Sequence, residues 1–440
     1  MSPIEIGLSL VGVLVPLILI GMHIGVALIF LSFVGVWLMR GNFELAVKLV
    51  SLTVYGGISD YIFATIPMFV MMGLLVSVSN VGKDTFDVAE WGLRRIRGGL
   101  GMATVMSNMV FAAVTGISIA SAAVFTRVAV PEMIRHGYNP RFAVGTVAGS
   151  SILGMLIPPS LLLIVYGVLA EESIGRMFLA GVVPGIMMSV AFLALIAVTA
   201  HLWPRSVQSA ADRLEFSHSE TLGSATVKLT PLVALVALVL GGIYTGYFTP
   251  TEAGAVGAAG ALVVTLLRRR LTAENSRSVM RETGYISVGI LFLLIAAGMY
   301  SRMLTMAGIP MEVGRLIATL GLGEYGFLAV YILLVLLLGM LLDSTSILLI
   351  VVPIAAPIAS GMGIDLIHFG IITVIAVEIG LLTPPFGISA FTVKSALADP
   401  NIKVETVFLG ALPYVLVMLL VLVLIVVMPW TTVWLARGAF

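Results

Sequence analysis

Residues 142–170 carry no charged side chain over 29 consecutive positions, and further charge-free runs cover 344–364 and 406–436. At a rise of about 1.5 Å per residue, each is long enough to cross a hydrocarbon core of about 30 Å as a helix. The chain is 60% hydrophobic and 10% charged, against roughly 25% charged for a soluble domain. The fold class is therefore an all-α polytopic membrane protein. A net charge of +1 gives no sign of a nucleic-acid partner. The absence of cysteine excludes disulfides, thiol nucleophiles and cysteine metal sites, and leaves the compartment open.

In the middle of the first run stands "GMLIPPS", with Pro158 and Pro159 back to back. Each proline removes a backbone donor and clashes with the preceding turn, and in lipid the freed carbonyl has no water to bond. The same break recurs in "GLLTPPFG", at Pro384 and Pro385.

Hydropathy and turn residues place spans at about 5–21, 23–39, 63–80, 142–170 and 177–203, then at about 229–247, 251–267, 285–304, 366–394 and 407–432. The N-terminal run lacks the basic start of a cleaved signal peptide and is expected to be the first span. Two further apolar stretches, about 100–134 and 326–361, are too long for one helix and read as re-entrant hairpins. With the hairpins in place, the basic segments 83–97, 135–141, 205–228 and 268–281 all fall on one face, which the positive-inside rule makes cytoplasmic. The segments poor in basic residues, 40–61, 171–176, 308–324 and 361–365, fall on the other. Both termini are then expected outside.

Five spans and one hairpin per half force the second half to enter the membrane inverted. A shift of 226 residues pairs Gly82 with Gly308, Ser118 with Ser344, Ala129 with Ala355, Pro131 with Pro357, Gly137 with Gly363, Gly154 with Gly380, and the two Pro-Pro pairs. Matches concentrated on Gly and Pro fall where backbone geometry is set. The expected organisation is a first repeat over 1–203, a cytoplasmic linker over 204–228 and a second repeat over 229–440. Inverted repeats with interrupted helices at the midplane mark secondary transporters.

Four irregular stretches should meet at the pseudo-twofold axis: the tips "AAVTGISIAS" and "GMLLDSTSIL", and the two Pro-Pro breaks. Unwound backbone offers carbonyl oxygens, and a hard cation such as Na⁺ takes oxygen ligands from carbonyls and hydroxyls. Thr115 and Ser118 bring hydroxyls to the first tip, Ser344, Thr345 and Ser346 to the second, and Thr383 precedes the second break. Helix N-termini at these breaks suit an anionic solute. A single Pro-Pro pair is only a kink, but two at one repeat position, each with a polar tip, read as a site.

Asp343 is an acid within an apolar stretch, where an unpaired charge is costly, and is a functional candidate. Arg127 either grips a carboxylate or sulfonate or extends its charge toward the cytoplasm. Glu378 is a proton site or a structural partner; Glu132 and Glu252 are expected at interfaces. The five histidines show no metal-ligand spacing, His136 and His218 are expected to be solvated, and the methionines of "PMFVMMG" read as packing. No GxxxxGK[ST] phosphate loop is present, so ATP hydrolysis is not expected, and no HExxH or GxSxG stands in a suitable setting for an enzyme.

The segments "VTGISIASAAVFTRVAVPEMIRHGY", "GSSILGMLIPPS", "GMLLDSTSILLIVVPIAAPI" and "GLLTPPFG", in this order and across essentially the whole chain, resemble the large membrane subunit of tripartite ATP-independent periplasmic (TRAP) transporters, the DctM type. The resemblance implies an elevator-type, sodium-coupled importer of small organic acids in a bacterial inner membrane. It also implies a small four-helix membrane subunit and a periplasmic substrate-binding protein as partners. It places one sodium site at Thr115, Ile117, Gly154, Pro158 and Pro159, and a second at Gly339, Gly380, Thr383 and Phe386, with Asp343 at an acidic position of the second tip. Many members read Ser-Gly-Ser-Ser at the first tip, where this chain has Thr115-Gly116-Ile117-Ser118. A backbone ligand at Ile117 survives that change; a hydroxyl ligand does not.

A stand-alone sodium or proton symporter without a binding protein is the alternative within this class. A membrane-embedded enzyme or channel would need a polar catalytic pair within one span, and none is seen. Single cysteines at Ser209, Glu172 and Phe440 test the topology by accessibility to impermeant reagents. Ser209 should label only from the cytoplasm, and Glu172 and Phe440 only from the periplasm. A cytoplasmic C-terminus would overturn the hairpin assignment.

Overall fold

A computed structural model describes residues 1–207, 221–397 and 399–438. Most of the expected linker over 204–228, including Ser209 and His218, lies outside these residues, as does Phe440. The first half contains α1 (Pro3–Leu19), α2 (Ile24–Arg40), α3 (Phe43–Ser59), a 3₁₀ turn (Tyr61–Ala64), α4 (Thr65–Val78), α5 (Val81–Leu93), α6 (Gly99–Thr115) and α7 (Ser118–Arg135). It continues through α8 (Pro140–Ser151), α9 (Leu153–Leu156), α10 (Leu161–Leu169), α11 (Ile174–Leu202) and α12 (Pro204–Val207). The second half contains α13 (Leu222–Tyr244), α14 (Pro250–Leu267), α15 (Ala273–Ala307), α16 (Ile309–Thr319), α17 (Glu324–Gly339) and α18 (Ser344–Gly361). It ends with α19 (Leu366–Leu382), α20 (Ile388–Ala396), α21 (Val404–Val427) and α22 (Trp430–Gly438).

No sheet is present among the described residues. Seven helical segments are long and apolar enough to cross a membrane, and an eighth is the pair 140–156 and 161–169, bent by 44° at the first Pro-Pro. The shorter apolar helices include α1, α2, α6, α17 and α19. The ten expected spans each coincide with a helix or a broken pair. Each stretch read as a hairpin is two helices, α6 with α7 and α17 with α18, and α18 alone has the length of a span.

Two expectations need correction. Residues 40–61 were expected to be a connection, but they contain α3, whose Glu44 and Lys48 interrupt an otherwise apolar helix packed on α2 and α15. His136 is not solvated; it is 3% exposed. The helix ends there, its ring Nδ1 lies 2.9 Å from the Glu132 carbonyl, and the turn through Gly137 (φ 75°) brings Tyr138 back against the bundle.

The helices approach closely where glycines face each other. A β-carbon on Gly145 of α8 would lie 2.2 Å from the Gly410 backbone of α21, a separation no side chain permits. Several hydroxyls deep in the bundle pair with one another: Thr65 with Thr251 at 2.6 Å, Thr146 with Tyr414 at 2.8 Å, and Tyr331 with Thr373 at 2.9 Å. Such pairs are the way polar groups remain inside a span.

Outside the spans, α5 and the end of α7 bring Glu90, Glu132 and His136 within 4.8 Å of one another, a grouping that the linear spacing of histidines did not reveal. Glu132 also pairs with Arg135. Burial first, then the charges of Glu132 and Asp87, push the Glu90 carboxyl up from 4.5 to about 7. Between those values the folded state holds a proton that the unfolded state has released. Stability therefore falls as pH rises through this window, and the loss is complete above it. Glu90→Gln should melt at a higher temperature than wild type at about pH 8, with the difference gone below about pH 4.5. Equal melting temperatures at about pH 8 would contradict this environment.

Candidate ion and solute site

Both polar tips rest on the Pro-Pro breaks. At the first tip, α6 ends at Gly116 in a left-handed conformation (φ 62°), and Ile117 is extended before α7 begins at Ser118. Glycine is needed at this turn twice over, because a β-carbon would also lie 2.4 Å from the Pro159 carbonyl oxygen. The Gly116 carbonyl accepts from Leu161 N–H at 3.2 Å, which ties the tip to the helix after the break. A β-carbon on Gly154 would lie 3.0 Å from Ile117 and Ser118 backbone atoms, so α9 packs on the same tip. Ser160 supports the break: its hydroxyl bonds the Met155 carbonyl and accepts from Leu163 N–H at 3.3 Å, capping α10.

The second tip repeats the arrangement. The Met340 carbonyl, just past Gly339, accepts from Phe386 N–H at 3.3 Å across the second break. A β-carbon on Gly339 would lie 2.7 Å from the Gly380 Cα, so α17 and α19 touch backbone to backbone. Gly154 thus meets Ile117, and Pro159 meets Gly116, with Thr115 and Pro158 their neighbours in sequence; at the second tip Gly339 meets Gly380, Thr383 N–H donates to the Gly380 carbonyl at 3.0 Å, and Phe386 bonds Met340.

The donor set suits a hard monovalent cation. The Thr115 hydroxyl donates to the Phe111 carbonyl at 3.0 Å and the Thr383 hydroxyl to the Ile379 carbonyl at 2.7 Å. Each oxygen therefore has its proton engaged along its own helix and keeps lone pairs for a ligand. Unwound residues at 157–159 and 383–386 add carbonyls that accept no helical hydrogen bond among the described residues, whereas the Ser160 and Gly387 carbonyls accept the first bonds of α10 and α20.

The two clusters differ in access. Residues 151–160 are all buried, whereas Pro384, Pro385 and Phe386 are exposed, Phe386 by 59%. Beside Phe386 lies an open cavity of about 640 Å³ between α7 and α20, lined among others by Arg127, Phe391, Thr392 and Ser395. Arg127 makes no hydrogen bond or ion pair among the described residues, so its guanidinium is free for an anion. Thr392 and Ser395 escaped the sequence reading, although two hydroxyl residues three apart, directly after the break, were the available signal.

Three of the remaining candidates, Asp343, Ser344 and Thr345, fall at the second tip. Asp343 is exposed and caps α18: its carboxylate accepts from Ser346 N–H at 3.1 Å and from the Ser346 hydroxyl. The protein does not bury this carboxylate; it faces a helix N-terminus, whose N–H groups and positive dipole end stabilise its charge. Ser344 is buried and Thr345 half-buried beside it. At the first tip, Ser118 donates to the Glu378 carboxylate at 3.0 Å, a contact across 260 positions of sequence.

Comparison with known proteins agrees with this architecture. The family "Tripartite ATP-independent periplasmic transporter, DctM component" matches residues 11–431. The chain is 34% identical to the C4-dicarboxylate TRAP transporter large permease protein DctM of Pseudomonas aeruginosa, over 87% of this chain and 88% of that protein. It is 30% identical to the sialic acid TRAP transporter large permease protein SiaM of Vibrio cholerae, over 94% and 95% of the two chains. It is 31% identical to the 2,3-diketo-L-gulonate TRAP transporter large permease protein YiaN of Escherichia coli, over 87% and 88%. The crystal structure of the Alcanivorax borkumensis YdaH transporter shares the fold at a TM-score of 0.57 and 15% identity, covering 88% of each chain. The chain is a transporter permease and no enzyme: it belongs to the DctM component family of tripartite ATP-independent periplasmic transporters.

Proposed function

We propose that this subunit drives sodium-coupled import of a small carboxylate across a bacterial inner membrane. The solute is delivered by a periplasmic binding protein, and a small four-helix subunit completes the membrane complex. The observation that carries the reading is the repeated docking of a tip carbonyl onto the backbone just after each Pro-Pro break, Gly116 to Leu161 at the start of α10 and Met340 to Phe386 in the turn before α20. A tip held against a break in this way would bring carbonyl and hydroxyl oxygens together, and oxygens of this kind are the ligand chemistry of sodium. The two halves act as inverted repeats, and the tips and broken helices move as one body past the remaining helices. C4-dicarboxylate, sialic acid and diketogulonate, named for the relatives, are all carboxylates. Arg127, with Thr392 and Ser395, offers a charge-assisted and hydroxyl-lined seat for such a group. In the proposed topology α20 and the end of α7 lie toward the cytoplasm, so the open cavity is the release side.

Uptake in proteoliposomes with both partners should require an inward sodium gradient and no ATP. Thr383→Val keeps the shape and removes the oxygen. It should raise the sodium concentration for half-maximal uptake by about tenfold, the loss of roughly 1.4 kcal/mol. Unchanged sodium dependence would strike Thr383 from the ligands.

Asp343→Asn separates the cap from the charge, since asparagine caps a helix about as well as aspartate. It should express and assemble normally while losing most uptake. Wild-type uptake in this variant would leave Asp343 with its capping role alone.

A further inference from the structure

Glu378 is 1% exposed in the middle of α19, and the Ser118 hydroxyl is its hydrogen-bond partner. Its Oε2 accepts that bond at 3.0 Å, while Oε1 is buried with no partner, and it forms no ion pair among the described residues. An acid so placed in a spanning helix opposes packing. The repeat supplies an internal control. At the shift of 226, Glu378 corresponds to Ile152, which is also buried, and Ser118 corresponds to Ser344, whose hydroxyl bonds no acid among the described residues. The position related by that shift holds a buried isoleucine, so the frame does not itself demand an acid there.

Its position shows what the acid adjoins. Two residues further along α19, Gly380 presses on Gly339 of the second tip, and Thr383 follows at the break. On the other side, Ser118 opens α7 directly after Ile117, against which Gly154 packs. One short segment of α19 therefore touches both clusters, through a side-chain bond to the first and a backbone contact with the second. We propose that Glu378 is a positioning residue that couples the two ion sites. By holding Ser118 it fixes the first tip to the helix of the second site, so that sodium at either site favours sodium at the other. This rests on the sodium-coupled reading above.

The test is the sodium dependence of thermal stabilisation of the purified complex with the small subunit, alongside sodium-dependent uptake with the binding protein. Wild type should respond with a Hill slope clearly above 1 and at most 2, the range open to two positively coupled sites. Glu378→Leu, which removes the acceptor, should lower the slope to about 1 and raise half-saturating sodium by about tenfold. Glu378→Gln keeps an acceptor for Ser118 and should keep the wild-type slope. Ser118→Ala breaks the bond from the other side with a small change in volume, and should lower the slope even if Glu378→Leu fails to fold. A wild-type slope in both Glu378→Leu and Ser118→Ala, or a wild-type protein with a slope of about 1, would overturn the coupling and leave sodium-driven transport intact. A Glu378→Gln protein as impaired as Glu378→Leu would overturn positioning in favour of charge. A wild-type protein indifferent to sodium would overturn the sodium reading as well.

Discussion

A break in a helix inside hydrocarbon must find partners for the backbone groups it frees, and this requirement organises the whole molecule. Pro158–Pro159 and Pro384–Pro385 each interrupt a helix that would otherwise span. In each half the opened backbone is answered by a polar tip: Gly116 accepts from Leu161 N–H, and Met340 accepts from Phe386 N–H. The glycines that flank these contacts follow from it. Gly116, Gly154, Gly339 and Gly380 stand where backbone meets backbone, and a β-carbon at any of them would push a tip off its break. In the proposed function, the same unwound backbone that these contacts hold in place supplies the carbonyl oxygens for a cation.

The halves are alike in backbone and unlike in chemistry. The first break is sealed and has Ser160 to cap the following helix; the second has Phe386 at the corresponding position and is open to the cavity beside Arg127. The second tip carries an acid that caps α18, whereas α7 begins after Ile117 with no side-chain cap. The first tip reaches an acid on α19, where the opposite half has isoleucine. Under the proposed function, solute access, ion access and coupling between sites would be divided between the two halves.

Much of this was legible before any coordinates, for a physical reason. Spans are read from charge-free length, and breaks from paired prolines, and both signals are local. The tips were legible as polar clusters inside apolar runs, and the shift of 226 paired tip with tip and break with break. Contacts between halves were not legible. Ser118 and Glu378 are 260 positions apart, and nothing in either neighbourhood marks the other. Arg127 stood out by its charge, but Thr392 and Ser395 did not, because hydroxyls are common in spans. His136 was misjudged because a histidine beside Arg135 at a span end looks solvated, and the turn at Gly137 that buries it is a matter of tertiary packing. Asp343 was noticed for the cost of a buried charge, and the structure turns it outward onto a helix end.

The central claim is that the two tip-and-break clusters are cation sites. A heavy monovalent cation locates such sites directly. Crystals of the complex soaked in a thallous salt should show two anomalous peaks, one between Ile117 and Pro158–Pro159 and one among Gly339, Gly380 and Thr383, both suppressed by excess sodium. The absence of density at both clusters, or peaks confined to places such as the Glu90–Glu132–His136 group, would contradict the account.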